Sequence, residues 1–312
     1  QGDVPTAESK KQAIKEAIDR MELDPEVTSR TLGQPFKNVS VDSILAATKK
    51  ILAVHRKESE ADDRDSMAYQ FMMGPEDLFS ERVKSAHRVM RPLLWKASFK
   101  QNLSPFSAGF MNSHVNGAIT TSGLGQPLEE VNPADLLNQV TRVSRLGEGG
   151  IPSLQSVPEE ARNVQPSHFG FIDPLLTPES LKVGVDSRAA INIQKGLDGK
   201  VYGNFKDVNT GEKVWKTPQE MADSVIAFPN QMKDPKSQRI AALIGGKIKY
   251  VPRDEVTHEL PRMEHAFNQL ANMIPLKSAT KGQRVMMGSR MLTQALPLQN
   301  PEAPYVQSGM PD

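Results

Sequence analysis

The feature that most constrains this chain is a dense run of glycine and proline that begins near residue 145. The run contains Gly147, Gly149, Gly150, Pro152, Pro158, Pro166, Pro174 and Pro178. These residues interrupt helices and strands, so the pattern predicts a long loop region. Loops of that length in a compact protein are usually functional or disordered. Phe169, Phe171 and Ile172 lie between the prolines and argue against a disordered linker.

The residues before that run are predicted to be mainly helical. Ser40 is placed to cap a helix whose apolar residues recur at helical spacing. Pro75 suits the first turn of a longer helix over 75–99, with a kink expected near Pro92. That helix carries a basic stripe, formed by Lys84, Arg88 and Arg91. Such a stripe is either a solvated surface or a contact for a nucleic-acid backbone or an acidic neighbour.

After the run, short apolar segments separated by turn residues predict strands. The predicted strands are 189–193, 201–205, 213–215, 225–228, 240–244 and 247–251. Thr217 and Glu220 form a capping box that opens a short helix, and a further helix is expected over 262–273. The fold class expected is therefore α+β, with a helical first half, long ordered loops, short antiparallel strands and a few helices.

Three parts are expected along the chain. They are an N-terminal helical segment over 1–40, a mainly helical segment over 41–140 and a mixed α/β part over 141–312.

Composition excludes several classes of protein. The 38 basic and 37 acidic residues give a net charge of +1, which argues against a protein that simply coats nucleic acid. The absence of cysteine excludes disulfides, thiolate zinc sites and a thiol nucleophile. No apolar run reaches the ~18 residues of a membrane span. The chain begins with Gln1 rather than Met, so trimming, cleavage of a precursor and design all remain open.

Standard catalytic motifs are missing from the sequence. No glycine-rich loop ends in Lys-Ser or Lys-Thr, and no histidine pair has metal-ligand spacing. His168 is expected to be a loop histidine that bonds to backbone. Asp62, Asp63 and Asp65 form the nearest approach to a two-metal cluster, but they are expected to be solvated. The chain alone is therefore not expected to catalyse phosphoryl transfer.

Four short blocks follow one another with nearly constant spacing. Segment 141–150, T-R-V-S-R-L-G-E-G-G, resembles R-R-x-S-x-L-G-P-G-G, and segment 162–170, R-N-V-Q-P-S-H-F-G, resembles R-D-V-H-P-T/S-H-Y-G. Segment 174–180, P-L-L-T-P-E-S, resembles P-I-E-T-P-E-G, and segment 183–187, V-G-V-D-S, resembles I-G-L-I-N-S. In these blocks the chain is similar to the β subunit of multisubunit DNA-directed RNA polymerase, in its fork and rifamycin-pocket region.

Two further segments agree with that resemblance. Segment 284–297, R-V-M-M-G-S-R-M-L-T-Q-A-L-P, looks like R-A-L-M-G-A-N-M-Q-R-Q-A-V-P, and segment 43–65 resembles the β helix that ends in an acidic loop. A β subunit of the family continues for hundreds of residues more. A subunit divided among several polypeptides is similar to the polymerases of giant tailed bacteriophages. That resemblance implies a location in the phage virion, in the cytoplasm of the infected host, or in both.

The resemblance implies that the region forms the fork and one wall of the active-site channel. Gln126 matches a position that contacts product RNA, and Arg142 matches a neighbouring RNA-side arginine. Glu129, Ser144 and Gln294 match other positions of the same wall. Because a guanidinium binds phosphate or carboxylate with two parallel hydrogen bonds, a buried ion pair that holds the loop is the alternative role for Arg142.

The same resemblance implies a nucleotide side and a DNA side. Arg284 matches the arginine that binds the triphosphate of the incoming nucleotide, and Glu179 is retained nearby, although Leu176 and Ser180 depart from the pattern. The fork loop, where downstream DNA separates, would carry the DNA contacts, and its candidate residues are Glu148, Gly149, Gly150, Gln155 and Arg162. In the rifamycin pocket, Gln139, Glu129 and Pro127 replace His, Asp and Phe, so low sensitivity to rifampicin is expected.

The resemblance therefore implies a nucleotidyltransferase subunit that is inactive alone. Its expected partners are other β-like and β′-like subunits, template DNA, product RNA and nucleoside triphosphates, with no membrane. The catalytic Mg²⁺ is expected on a β′-like partner, and this chain is expected to hold no metal or cofactor. The alternative is a non-catalytic virion protein, a DNA-binding structural relic of a polymerase subunit.

Overall fold

The computed structural model describes residues 7–106, 109–121, 127–147, 149–233, 238–245 and 247–300. The chain forms two compact units, Gln1–Gln70 and Phe71–Asp312. The boundaries expected near residues 40 and 140 stay predictions. Two site candidates, Gln126 and Glu148, lie outside the described residues.

The first unit contains three helices. They are α1 (Ala7–Asp19), α2 (Pro25–Leu32) and α3 (Val41–His55). The cap predicted at Ser40 is confirmed, because its side chain accepts from the backbone N–H of Ser43 and the side chain of Ser43 accepts from that of Ser40. Such reciprocal bonds satisfy amides that have no partner at the start of a helix.

The second unit begins with four more helices. They are α4 (Pro75–Ser85), α5 (His87–Lys100), α6 (Asn112–Thr120) and α7 (Pro133–Val140). The single helix expected over 75–99 is therefore wrong, since the helix is interrupted at Ala86. Ala86 is fully buried, and its N–H is shared between the carbonyls of Arg82 and Val83. Pro92 lies inside α5 and removes only one amide from the ladder.

The glycine- and proline-rich region is ordered. It carries a small antiparallel sheet of β1 (Arg142–Ser144), β2 (Ile172–Asp173) and β3 (Asp186–Ala189), in the order β1-β3-β2. Short 3₁₀ turns connect its parts, at Leu154–Ser156, Glu160–Arg162 and Pro166–His168. Val157, Ala161 and Val185 form a core against which Leu146 and Ile151 pack. The expectation of an ordered loop is confirmed.

A second, larger sheet follows. Its strands are β4 (Ile193–Lys195), β5 (Val201–Asp207), β6 (Lys213–Lys216), β7 (Ile226–Ala227), β8 (Arg239–Ile244), β9 (Lys247–Pro252) and β10 (His258–Glu259). The order is β4-β5-β10-β7-β8-β9, with β6 on β5. All pairs are antiparallel except β10 with β7. The predicted strand 189–193 is wrong as one element, because β3 and β4 divide it.

A short helix, α8 (Pro218–Ala222), lies between β6 and β7 and has the predicted capping box at Thr217. Two more helices, α9 (Gln269–Asn272) and α10 (Gly282–Gln294), follow β10. The helix expected over 262–273 is reduced to a 3₁₀ turn and α9. Asn268 breaks it, because its N–H donates to the buried carboxylate of Asp173 at 2.5 Å. The α+β class is confirmed.

No helix in the described part of the chain is long and apolar enough to cross a membrane.

Candidate active-site groove

Helix α7 and the end of helix α10 are tied together by one amide side chain. The Oδ1 of Asn132 accepts from the N–H of Asp135 at 2.9 Å and so caps the start of α7. Its Nδ2 donates to the carbonyls of Leu292, Thr293 and Ala295, at 3.1, 3.1 and 2.6 Å. Backbone groups at two helix ends, which have no partner within the helix, are thereby satisfied.

An apolar core fixes the same elements. Leu176, Leu270 and Val285 are buried together, and Leu137 of α7 and Leu292 of α10 pack against them. The helices α7, α9 and α10 therefore share one core with the segment that follows β2. Leu176, a departure from the matched pattern, is part of this core rather than of a polar surface.

Between these elements and segment 174–180 lies a groove of about 600 Å³. Its charged and amide lining includes Glu129, Asp135, Glu179, Arg188, Arg290 and Gln294. Three of the residues singled out in the sequence, Glu129, Glu179 and Gln294, are thus brought to one cavity from distant points of the chain.

Arg290 holds Glu179 on the wall of the groove. Its Nη1 lies 2.8 Å from the Oε2 of Glu179, and its Nη2 donates to the carbonyl of Thr177 at 3.4 Å. Both side chains are partly exposed, so the ion pair contributes at most about 1 kcal/mol to folding. Its effect is to orient the carboxylate and to neutralise it. The sequence did not single out Arg290, although it departs from the Asn of the matched pattern.

Gln139 fixes the loop that carries Glu129. Its Oε1 accepts from the N–H of Glu129 at 3.1 Å, and its Nε2 donates to the carbonyl of Glu129 at 2.5 Å and to the carboxylate of Asp135 at 2.8 Å. The amide therefore rigidifies the rim of the groove. The low rifampicin sensitivity expected from Gln139 stays a prediction.

Arg142 and Ser144 converge on a buried carboxylate instead of the groove. The Nη2 of Arg142 lies 2.7 Å from Asp186 Oδ2, and the Oγ of Ser144 donates to Asp186 Oδ1 at 2.5 Å. Asp186 is 2% exposed, and Lys182 lies 3.9 Å away. This is the ion-pair role that the sequence left open for Arg142. An RNA contact by either residue stays a prediction.

Arg188 is a second cation that the sequence did not single out. Its Nε donates to the Oδ1 of Asn138 at 2.6 Å and its Nη1 to the carbonyl of Ser187 at 3.0 Å. Burial, and then the charge of Arg142, lower the pKa of Arg188 to about 10. A partly buried guanidinium with donors left over favours an anion or a carbonyl in the groove. Arg188 directly follows the matched segment 183–187, and that position was the one sequence signal that could have pointed to it.

The fork loop is held by its own arginine. Arg162 donates from Nη1 to the carbonyls of Leu181 and Val183, at 2.7 and 3.0 Å. Gly150 packs so closely that a Cβ there would lie 2.5 Å from the carbonyl oxygen of Arg145. Arg162 therefore stabilises the loop. The other described candidates of this loop, Gly149 and Gln155, are exposed.

Arg284 lies apart from the groove lining. It occupies the first turn of α10 and is exposed, whereas α10 faces the groove with Met286, Ser289 and Thr293. The triphosphate contact expected of Arg284 stays a prediction.

Two buried polar residues lie beneath the site. Burial raises the pKa of Asp173 above its ordinary value, although its carboxylate accepts from the amides of Leu175, Leu176 and Asn268. His168 is buried beside Arg145, with 3.4 Å between Nη2 and Nε2. Among the described residues, no three histidine, aspartate or glutamate side chains come together as a metal site.

Part of the chain that lines the groove resembles a known protein family. Residues 126–194 match the family described as RNA polymerase Rpb2, domain 3. This match includes β1, β2, β3 and the loops that carry Glu129 and Glu179.

Relatives extend the similarity to most of the chain. The DNA-directed RNA polymerase subunit beta of Rhizorhabdus wittichii is 29% identical over an alignment of 318 positions, gaps included, which covers 93% of this chain and 20% of that protein. That of Thermotoga petrophila is 32% identical over 206 positions, which cover 64% of this chain and 16% of that protein. That of Cytophaga hutchinsonii is 26% identical over 300 positions, which cover 89% of this chain and 23% of that protein.

The chain is therefore similar to part of an RNA polymerase β subunit. The chain spans about a fifth of the length of the β subunits that it matches. The wall that carries Glu129 and Glu179 lies within the part that matches the Rpb2 domain.

Proposed function

We propose that this chain is part of a β-type subunit of a DNA-directed RNA polymerase, and that its groove is one wall of the active-site channel. The observation that carries the proposal is the convergence of Glu129, Glu179 and Gln294 on one cavity of about 600 Å³. Glu179 and Gln294 come from two of the blocks that resemble the family, and Glu129 comes from the segment that precedes the first of the four fork blocks.

The role proposed for the groove is positioning rather than bond making. Arg188 and Gln294 supply donors for phosphate or ribose oxygens of product RNA. Arg290 neutralises Glu179 and so reduces its repulsion of an anionic chain. A wall that holds the RNA end in line with a nucleotide accelerates transfer by orientation. The Mg²⁺ that would polarise the reacting phosphate is assigned to a β′-like partner.

Arg284 is proposed to reach the triphosphate of the incoming nucleotide. The described residues provide no hydrogen bond or ion pair to its exposed side chain, so its guanidinium is available. A fixed cation there stabilises the charge that develops on the pyrophosphate leaving group. The fork loop is proposed to face downstream DNA, through backbone near Gly149 and through Gln155. A phage polymerase divided among several polypeptides remains the proposed source.

Arg284→Ala in the reconstituted complex tests this role. The variant should lose about 2 kcal/mol of transition-state stabilisation, about a 30-fold fall in kcat/KM for nucleotides. Lys247→Ala, which removes an exposed cation from the edge strand β9, is the matched control and should leave kcat and KM unchanged. Unchanged kcat and KM in Arg284→Ala would reject the proposed triphosphate contact.

A cross-link separates a working channel from the structural relic. RNA with 4-thiouridine at its 3′ end, irradiated in the stalled complex, should label peptides that line the groove, those of segment 174–180 or of α10. A complex that binds DNA but neither extends RNA nor labels these peptides would favour the relic.

A further inference from the structure

Helix α5 exposes most of its surface, although it contains large apolar residues. Val89 and Leu93 are partly buried and Ala97 is buried, and these three residues share one face. The opposite face carries Arg88, Arg91, Trp95 and Phe99, and it is called here the α5 outward face. Trp95 is 70% exposed and Phe99 is 81% exposed.

The two rings form a preorganised apolar surface. Trp95 and Phe99 stack with their centroids 6.0 Å apart and their planes 18° apart. Leu94 in the same helix and Leu103 just beyond its end are also exposed. A tryptophan or phenylalanine buries roughly 150–250 Å² when covered. Two large rings that are exposed while stacked on each other are typical of an interaction surface, whereas single scattered apolar residues are not.

The charge of the sequence segment that contains α5 has one sign. Residues 82–128 contain no aspartate or glutamate and six basic residues, which are Arg82, Lys84, Arg88, Arg91, Lys96 and Lys100. The described residues offer no hydrogen bond or ion pair to the side chains of Arg88 and Arg91. Two cations on the outward face therefore keep donors for an anionic partner.

We propose that the α5 outward face docks an acidic amphipathic helix of a protein partner. Its apolar stripe would cover Trp95, Phe99 and Leu94, and its carboxylates would pair with Arg88 and Arg91. Tryptophan and arginine are the residues that most often dominate the energy of protein interfaces. The exposed leucines favour a protein over a nucleic acid, because aliphatic side chains gain from apolar contact and not from base stacking. The proposal does not depend on polymerase activity.

Trp95 supplies its own signal. The chain contains two tryptophans, so Trp215→Phe leaves Trp95 as the single emitter. The probe is a synthetic helix of about three heptads, with leucine on one face and glutamate on the others. Binding should shift the emission of Trp95 to shorter wavelength and saturate. The same helix with lysine in place of glutamate should give no shift at equal concentration. The difference spectrum between the full chain and Trp95→Phe gives the same readout without changing Trp215.

Charge reversal tests the pairing directly. Arg88→Glu with Arg91→Glu should weaken binding of the acidic helix about tenfold or more and permit binding of the basic helix. Lys247→Glu with Lys249→Glu makes the same change in net charge on the exposed strand β9 and should have no effect.

Three results would overturn the proposal. Equal shifts with the acidic and basic helices would mean that the face recognises no charge. A stronger response to single-stranded oligo(dT) than to the acidic helix would identify a nucleic-acid surface. Concentration-dependent self-association that Trp95→Ala abolishes would identify a second copy of this chain as the occupant.

Discussion

The loop region is more deeply buried than helix α5, although loops usually lie on the surface and helices usually bury one face. The loop region, residues 145–190, has little regular structure, yet Phe171, Val185 and Asp186 are among the most buried side chains of the protein. Helix α5 is 14 residues long, and Ala97 is its one buried residue. Order in the loop comes from packing and from side chains that bind backbone, whereas α5 keeps its hydrogen-bond ladder without burying its outward face.

The largest effect expected from this difference is at Asp186. Asp186→Ala should lower the free energy of unfolding by about 3–5 kcal/mol, because it leaves Arg142 without its buried counter-charge. Urea denaturation of the chain measures this. Glu179→Gln, which weakens a partly exposed ion pair, should cost less than about 1 kcal/mol. Equal losses in the two variants would contradict the central role given to Asp186.

A smaller effect is expected at Gly184, where the loop turns back on itself. Gly184 has φ +69°, and a Cβ there would collide with the carbonyl of Arg162. Gly184→Ala should cost about 2 kcal/mol or more, from strain and from displacement of that carbonyl. Gly211 has φ +75° but open space around it. Gly211→Ala should therefore cost only the backbone strain of a left-handed alanine, about 1 kcal/mol. If thermal unfolding shows that Gly211→Ala destabilises the chain more than Gly184→Ala does, the tight packing assigned to Gly184 is wrong.

The smallest effect is expected in α5. Trp95→Ala in the isolated chain should change the free energy of unfolding by no more than about 0.5 kcal/mol, because the ring is exposed. Phe171→Ala, in the loop region, should cost about 3–5 kcal/mol. If both aromatic truncations destabilise the chain alike, the surface and core roles assigned to them are wrong.

Local signals in the sequence predicted the elements that depend on local contacts. The cap at Ser40 and the capping box at Thr217 are confirmed, as are strands within β5, β8 and β9. Each of these is decided by residues a few positions apart, so a single sequence contains the required information.

Elements decided by distant residues were not predictable in this way. The helix expected over 262–273 fails because Asp173, nearly a hundred positions away along the chain, captures the N–H of Asn268. The resemblance singled out Glu129, Glu179 and Gln294, and all three line the groove, although their roles stay predictions. Arg290 was missed because its role depends on a carboxylate 111 positions away.

The hydrogen bonds from Asn132 to the end of α10 imply that the groove forms late in folding. They join residues 160 to 163 positions apart. During synthesis, the two sides of the groove therefore cannot pair until almost all of the remaining described chain has been made. The large sheet, from β4 to β10, lies within that interval and closes through contacts of its own. Closing a loop of that length costs entropy and slows pairing. The cavity is therefore a late product of folding, and a truncation just before Gly282, where α10 begins, would leave the large sheet complete but remove the α10 side of the groove.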